Sequence, residues 1–161
     1  MFKRLLVPLD GSRFASLALL YAGEVGQRFG AEVILIQVVK LATSVIDAAT
    51  PIGISPAGSE IAVRAALEAD KRNAARARRY LRGKVRAMRS RHVRSSYRVL
   101  VGDIARSVVE FSEKENVDLV VMTTHGRSGL RRAVMGSIAD AVIRESGKPV
   151  LVVRSQTSSK K

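Results

Sequence analysis

The chain contains no cysteine, so disulfides and thiolate metal centres are excluded and nothing ties it to an oxidising compartment. Histidine occurs only as His92 and His125, too few for a histidine-based metal site. Aromatic residues make up 4% of the chain against 47% apolar residues overall. A core built from this composition is aliphatic, of the Val, Leu, Ile and Ala kind that buried parallel strands use. Long hydrophobic runs are also missing: the opening Met1-Phe-Lys-Arg-Leu-Leu-Val-Pro8 carries two charges and an apolar run broken by proline. That is neither a secretion signal nor a spanning helix, so the expected compartment is the cytoplasm and no membrane partner is expected.

Acidic residues are scarce, 14 against 28 Lys and Arg, for a net charge of +14. The imbalance is local: from Lys71 to Gly102 there are twelve basic residues and no Asp or Glu. Such a strip suits an anionic partner, whether nucleic acid, anionic lipid or acidic protein, through sequence-independent electrostatics. The competing reading is a solvated outer face of a long helix, since only Tyr80 and Tyr97 accompany the charges and no recognition motif is present.

At 161 residues the chain is about one domain, and strand and helix patterns alternate along it. Residues 3–9 form a first apolar strand. Ser12 caps a helix to about residue 28, with Phe14, Leu17, Ala18, Tyr21 and Val25 at helical spacing and Gly30 at its end. Residues 32–39 are a second strand. The stretch 41–59, with Pro51, Gly53, Pro56 and Gly58, reads as a mobile loop of lid length. From residue 60 to about 89, Val63, Leu67, Ala74, Ala77, Leu81, Val85 and Met88 mark one face of a long helix packed on a sheet. A third strand spans 97–101, and Asp103 caps a helix that buries Ile104, Val108 and Phe111. A fourth strand (117–122) and a last helix ending at Gly147 follow, then a fifth strand over 149–153 and a basic tail, 155–161, expected to be disordered. This order calls for a three-layer αβα sandwich around a five-stranded parallel, doubly wound sheet. The ligand crevice of such a sheet lies at the carboxyl ends of its strands, where the winding reverses.

Two polar turns fall at such ends: Pro8-Leu-Asp-Gly-Ser12 after the first strand, and the segment from Thr123 to Ser137 after the fourth. In the second, Gly126, Gly129 and Gly136 separate a buried strand from a helix whose free N-terminal amides carry partial positive charge, an arrangement suited to phosphate. Neither G-x-x-x-x-G-K-[ST] nor G-x-G-x-x-G occurs. An ordinary strand-to-helix turn explains the glycines equally well. A carboxylate in one turn and open amides in the other would suit the ribose and phosphates of a nucleotide.

The opening Phe2 to Ser12, the Gly102-Asp103 pair before a helix, the glycine segment through Gly136-Ser137 and the closing Lys148-Pro-Val-Leu-Val-Val153 together resemble the universal stress protein family, over residues 2–154. The resemblance implies one domain, 1–154, with the adenine nucleotide alpha hydrolase-like fold. ATP-binding members carry G-x2-G-x9-G-[ST]. Counted back from Gly136-Ser137, this places the middle glycine at Gly126 and the first position at Thr123, so threonine replaces the first glycine. The resemblance further implies that Asp10 holds ribose hydroxyls, that Pro8 and Leu9 wall the pocket and that Val38 meets the adenine. Ser137 and Ile138 sit at the phosphate-facing helix start, with Gly129 and Arg127 in the loop before it. Asp10 as a simple turn cap and Val38 as ordinary core are the alternatives. The implied ligand is ATP, with Mg through its phosphates, or AMP or ADP. The implied role is a stress-response or regulatory protein with at most slow hydrolysis, a homodimer through its C-terminal strand. A slow nucleotide hydrolase, and a module with a vestigial pocket that binds nucleic acid through Arg72, Arg76 and Arg79 or acts purely in protein interaction, are the competing readings.

Overall fold

The structure, a computed structural model, describes residues 2–41, 56–124 and 136–154, without the side chains of 56–59. Five strands form one sheet: β1 (Arg4–Pro8), β2 (Glu32–Val39), β3 (Ser95–Val101), β4 (Leu119–Thr123) and β5 (Val150–Val153). Every pairing is parallel and the order is β3-β2-β1-β4-β5. The helices are α1 (Ala18–Phe29), α2 (Pro56–Arg89), α3 (Ile104–Lys114) and α4 (Ser137–Glu145).

Parallel neighbours must be joined by crossovers, and the helices that make them cover both faces of the sheet. Leu5, Val7, Val33 and Leu35 point to one face, against Ala18 and Ala22 of α1 and Leu81, Val85 and Met88 of α2. Leu6, Ile34, Ile36 and Val120 point to the other, with Val108 of α3 and Val142 of α4. The alternation within β1 is the period-two geometry of a strand whose two sides are both buried. The expected doubly wound αβα sandwich is therefore the observed fold.

Local signals set most element ends. The Ser12 hydroxyl accepts from the Ala15 amide at 3.0 Å, opening a short 3-10 turn (Ala15–Leu17) that leads into α1. Gly30 closes α1 at φ 61°, a left-handed conformation that glycine takes without the Cβ penalty. Asp103 caps α3, its Oδ1 accepting from the Arg106 amide at 3.0 Å.

Three expectations need correcting. Helix α2 begins at Pro56, inside the stretch read as loop; proline costs little in a first turn, where its missing N–H has no helical partner. Residues 42–55 lie outside those described. The expected apolar face of α2 is also buried only in part. Ala77, Leu81, Val85 and Met88 pack on the sheet, whereas Val63 is 41% and Leu67 49% exposed. Length is the reason: 34 helical residues run about 50 Å, and a seven- or eight-residue strand only about 25 Å. The amino-terminal half of α2 outruns the sheet. Strand β3 in turn starts at Ser95, two residues before its apolar pattern, because Ser96 Oγ donates to Glu32 at 2.6 Å and Arg89 holds the Ser95 carbonyl.

The seam between β1 and β4 is clamped at its start by Asp118. One carboxylate oxygen accepts from the amides of Lys3 and Arg4, at 2.7 and 2.9 Å, and the Asp118 amide donates to the Arg4 carbonyl. Those two amide bonds hold the carboxyl below the usual carboxylate range. A depressed folded-state pKa contributes stability above the unfolded value of about 4 and loses it as the pH falls through the folded value. Asp118→Ala is expected to lower the Tm by roughly 2–4 °C at neutral pH, equivalent to about 1 kcal/mol for exposed charged hydrogen bonds in a chain of this size. In thermal melts from pH 7 to pH 2 the gap to the parent should close on the acid side; a gap independent of pH would contradict the clamp.

Candidate functional site

From β1 the chain winds outward through β2 to β3, and from β4 it winds the other way to β5. The reversal leaves an opening beyond the carboxyl ends of β1 and β4. A cavity of about 720 Å³ lies there, lined by Pro8, Leu9, Asp10, Val38, Thr123, Gly136, Ser137 and Ile138. Eight of the candidate residues are thus brought around one space. The other three, Gly126, Arg127 and Gly129, lie outside the described residues.

The amino terminus of α4 forms one wall. Gly136 is its N-cap, extended at φ −65° and ψ 145°, with no side-chain cap. The first helical bond runs from the Asp140 amide to the Gly136 carbonyl. The amides of Ser137, Ile138 and Ala139 precede that bond and have no partner inside the helix. The contrast with α3 is informative, since there Asp103 occupies the same position and caps the Arg106 amide with its own carboxylate. Glycine at the cap of α4 supplies no side chain to these amides, and among the described residues the positive end of the helix borders the cavity.

Gly136 is required for a reason the sequence does not show. Its amide donates to the Thr124 carbonyl at 2.9 Å, and a Cβ built on it would lie 2.5 Å from that same oxygen. The glycine serves close backbone approach, docking the helix start onto the end of β4. A side chain there would collide with the protein's own backbone before it met any ligand.

On the opposite wall, the Asp10 carboxylate accepts from the Ser12 amide at 2.9 Å, and Gly11 takes φ 86° between them. The turn-cap role of Asp10 is therefore real, and it fixes the carboxylate at the cavity. Tyr80, reaching over from α2, approaches Ser16 Oγ at 3.3 Å. Burial pushes its phenol up, the Ser16 contact opposes the shift and the Asp10 charge adds to it, so Tyr80 is a neutral hydroxyl at any physiological pH.

Sequence reasoning missed several lining residues. Asn73, Arg76 and Tyr80 come from α2, and Gln37 and Lys40 from the end of β2. Arg76 is legible in the sequence only as one member of the basic strip; which way a helix is turned on its sheet is not encoded in any single residue. Gln37 places a polar amide among apolar strand residues, which is a usable signal. Its Oε1 is buried with no hydrogen-bond partner among the described residues, which leaves that acceptor for a water or a bound molecule.

A model of the universal stress protein family matches residues 1–154. The chain belongs to the universal stress protein family. The family member MJ0531 of Methanocaldococcus jannaschii is 33% identical over 155 residues, covering 96% of this chain and 83% of that protein. The solved structure of MJ0577, another universal stress protein of that organism, superposes with a TM-score of 0.79 at 26% identity, over 98% of this chain and 99% of that one. The crystal structure of a universal stress protein in complex with cAMP has a TM-score of 0.64 at 20% identity, over 96% and 98% of the two chains. At that identity the likeness is one of fold.

Within this universal stress protein fold, two glycines should respond in opposite ways to alanine. Gly136→Ala is expected to lower the Tm by roughly 2–10 °C through the collision with Thr124. Gly83, inside α2 with nothing near its missing Cβ, should tolerate the change and gain about 0.5–1 kcal/mol, or roughly 1–4 °C. Differential scanning calorimetry of the two variants checks both; an unchanged Gly136→Ala melt would remove the close-approach argument.

Proposed function

We propose that this chain binds an adenine nucleotide, ATP foremost, in the cavity between the Asp10 turn and α4, and that it acts in the cytoplasm as a stress-response regulator. The observation that carries the reading is that the start of α4, which has a glycine N-cap and no side-chain cap from it, lines the same cavity as a fixed carboxylate. Three amides at a positive helix end suit phosphate oxygens, and Asp10 suits the ribose hydroxyls. Pro8, Leu9 and Val38 supply an apolar wall for the base, and Thr123 sits at the strand end beneath the sugar. Arg76 and Lys40 add positive charge at the rim, and Mg accompanying ATP would be held by the phosphates themselves. The cAMP complex of a protein with this fold supports a nucleotide as the class of ligand. Gly126, Arg127 and Gly129 remain part of the proposed phosphate loop on the family motif alone.

Ser137 offers a direct test. As the first residue of α4 it follows an extended Gly136, the conformation that proline demands of its predecessor, and proline is itself favoured at a helix start. Ser137→Pro therefore deletes one amide donor at little cost to the fold. ATP should raise the Tm of the parent and of Ser137→Ala, and bind Ser137→Pro roughly tenfold or more weakly, with the ligand-free Tm nearly unchanged. Asp10→Ala should weaken ATP as well. Equal ATP affinity in the parent and Ser137→Pro would sink the phosphate assignment.

We also propose that the protein is a homodimer through β5. The two free edges of the sheet differ chemically: β3 carries Arg98 on an exposed edge, while β5 is the uncharged Val-Leu-Val-Val run, with Val150, Leu151 and Val152 only half-buried. Charge discourages strand addition, so self-pairing falls to β5, antiparallel about a two-fold axis. Sedimentation at physiological salt should give a dimer at micromolar concentration, and Val152→Pro, which removes an amide on the open edge because residues 149, 151 and 153 face β4, should give the monomer. A parent that sediments as a monomer with and without ATP would overturn the pairing.

A further inference from the structure

A second concavity, of about 710 Å³, runs between the outer face of α2 and the edge strand β3. Its walls carry Arg78, Arg82, Arg86 and Arg89 from the helix and Tyr97 and Arg98 from the strand, and no Asp or Glu lines it. Arg78, Arg82 and Arg86 are spaced four residues apart, one guanidinium per helical turn or about 6 Å. All three are exposed. Arg89 and Arg98 are held in place: Arg89 donates through Nε and Nη2 to the Ser95 carbonyl at 3.2 and 2.8 Å, and Arg98 Nη1 donates to the Tyr97 carbonyl at 2.9 Å.

Three arginines on the other helices are neutralised locally. On α1, α3 and α4, an arginine meets a carboxylate one turn away, in the pairs Arg28–Glu24, Arg106–Glu110 and Arg144–Asp140. Along the groove, Arg78, Arg82 and Arg86 form no ion pair among the described residues, and the sequence offers no acidic residue from 71 to 102. Like charges four apart on a helix are mutually destabilising by a few tenths of a kcal/mol each. A solvated face would mix the signs; this one concentrates a single sign in a recess.

We propose that this groove binds the phosphate backbone of a nucleic acid, independently of base sequence and apart from the nucleotide cavity. The choice of residue argues for phosphate. Ten of the twelve cations in the strip are arginine, whose planar fork matches phosphate oxygens bidentately and is less strongly hydrated than an ammonium group. A lipid surface would instead require exposed apolar residues interleaved with the charges. The exposed Ile61, Val63 and Leu67 lie at the other end of α2, and the apolar residues of the groove itself, Val85 and Val99, are buried or half-buried. An acidic peptide offers charges at irregular spacing, whereas a nucleic acid presents them in a regular row like that of the helix.

The test is the salt dependence of binding to a labelled duplex of roughly 20 base pairs, with Arg78→Gln/Arg82→Gln/Arg86→Gln compared with Arg28→Gln/Arg106→Gln/Arg144→Gln, which removes the same charge elsewhere. With four phosphate contacts, through Arg78, Arg82, Arg86 and Arg98, the parent should lose roughly a hundredfold in affinity between about 50 and 200 mM salt. The groove variant should bind weakly at low salt and lose only about fourfold, while the control variant should follow the parent. Arg98→Gln, on the facing wall, should lower the log–log slope by about one. Circular dichroism and an unaltered ATP-induced shift would show that the groove variant is folded. Equal losses in the groove and control variants, no duplex binding at low salt, or tighter binding to anionic vesicles or poly-glutamate than to the duplex would each overturn the proposal.

Discussion

Burial of the three central strands, β2, β1 and β4, on both faces is the constraint from which the rest of this molecule follows. A short parallel strand cannot be joined to its neighbour by a hairpin, so a helix must cross the sheet at each step and cover the face it crosses. Leu5, Leu6 and Val7 are fully buried in consecutive positions of β1, which only a sheet sandwiched between helices permits. With β1 and β4 adjacent and the chain wound outward from both, the connections leave in opposite directions. The cavity is the space that this divergence leaves unfilled.

What that cavity can do depends on how each helix begins. Asp103 closes the start of α3 with its own carboxylate, whereas Gly136 brings no side chain to the start of α4 and draws it against the Thr124 carbonyl. The same logic of position over composition governs α2, where Arg76 and Tyr80, one turn apart, line the nucleotide-sized cavity. Arg78, Arg82 and Arg86 begin two residues later, about 200° around the axis, and line the outer groove. One basic helix thus presents cations to two different surfaces, and neighbours in sequence serve separate ends.

Much of this was legible from residues alone. The alternation of apolar strands and amphipathic helices, the capping by Ser12 and Asp103 and the stops at Gly30 and Gly147 rest on local physics that acts within one turn or one strand. The start of β3 was not legible, because Ser95 and Ser96 join the strand through bonds to Arg89 and Glu32 that lie elsewhere in the chain. Nor was the exposure of Val63 and Leu67, which depends on where the sheet ends beneath α2.

The sequence by itself determined the fold class, the family and the two strand ends, after β1 and after β4, that border the crevice, since periodicity, caps and glycine placement are properties of neighbouring residues. Only the tertiary structure decided that Gly136 is demanded by the Thr124 carbonyl and that Asp10 caps its own turn while lining the cavity. It alone decided that Gln37, Asn73, Arg76 and Tyr80 join the site. Those assignments depend on the rotation of α2 about its axis and on strand register, quantities set by packing between segments far apart in the chain.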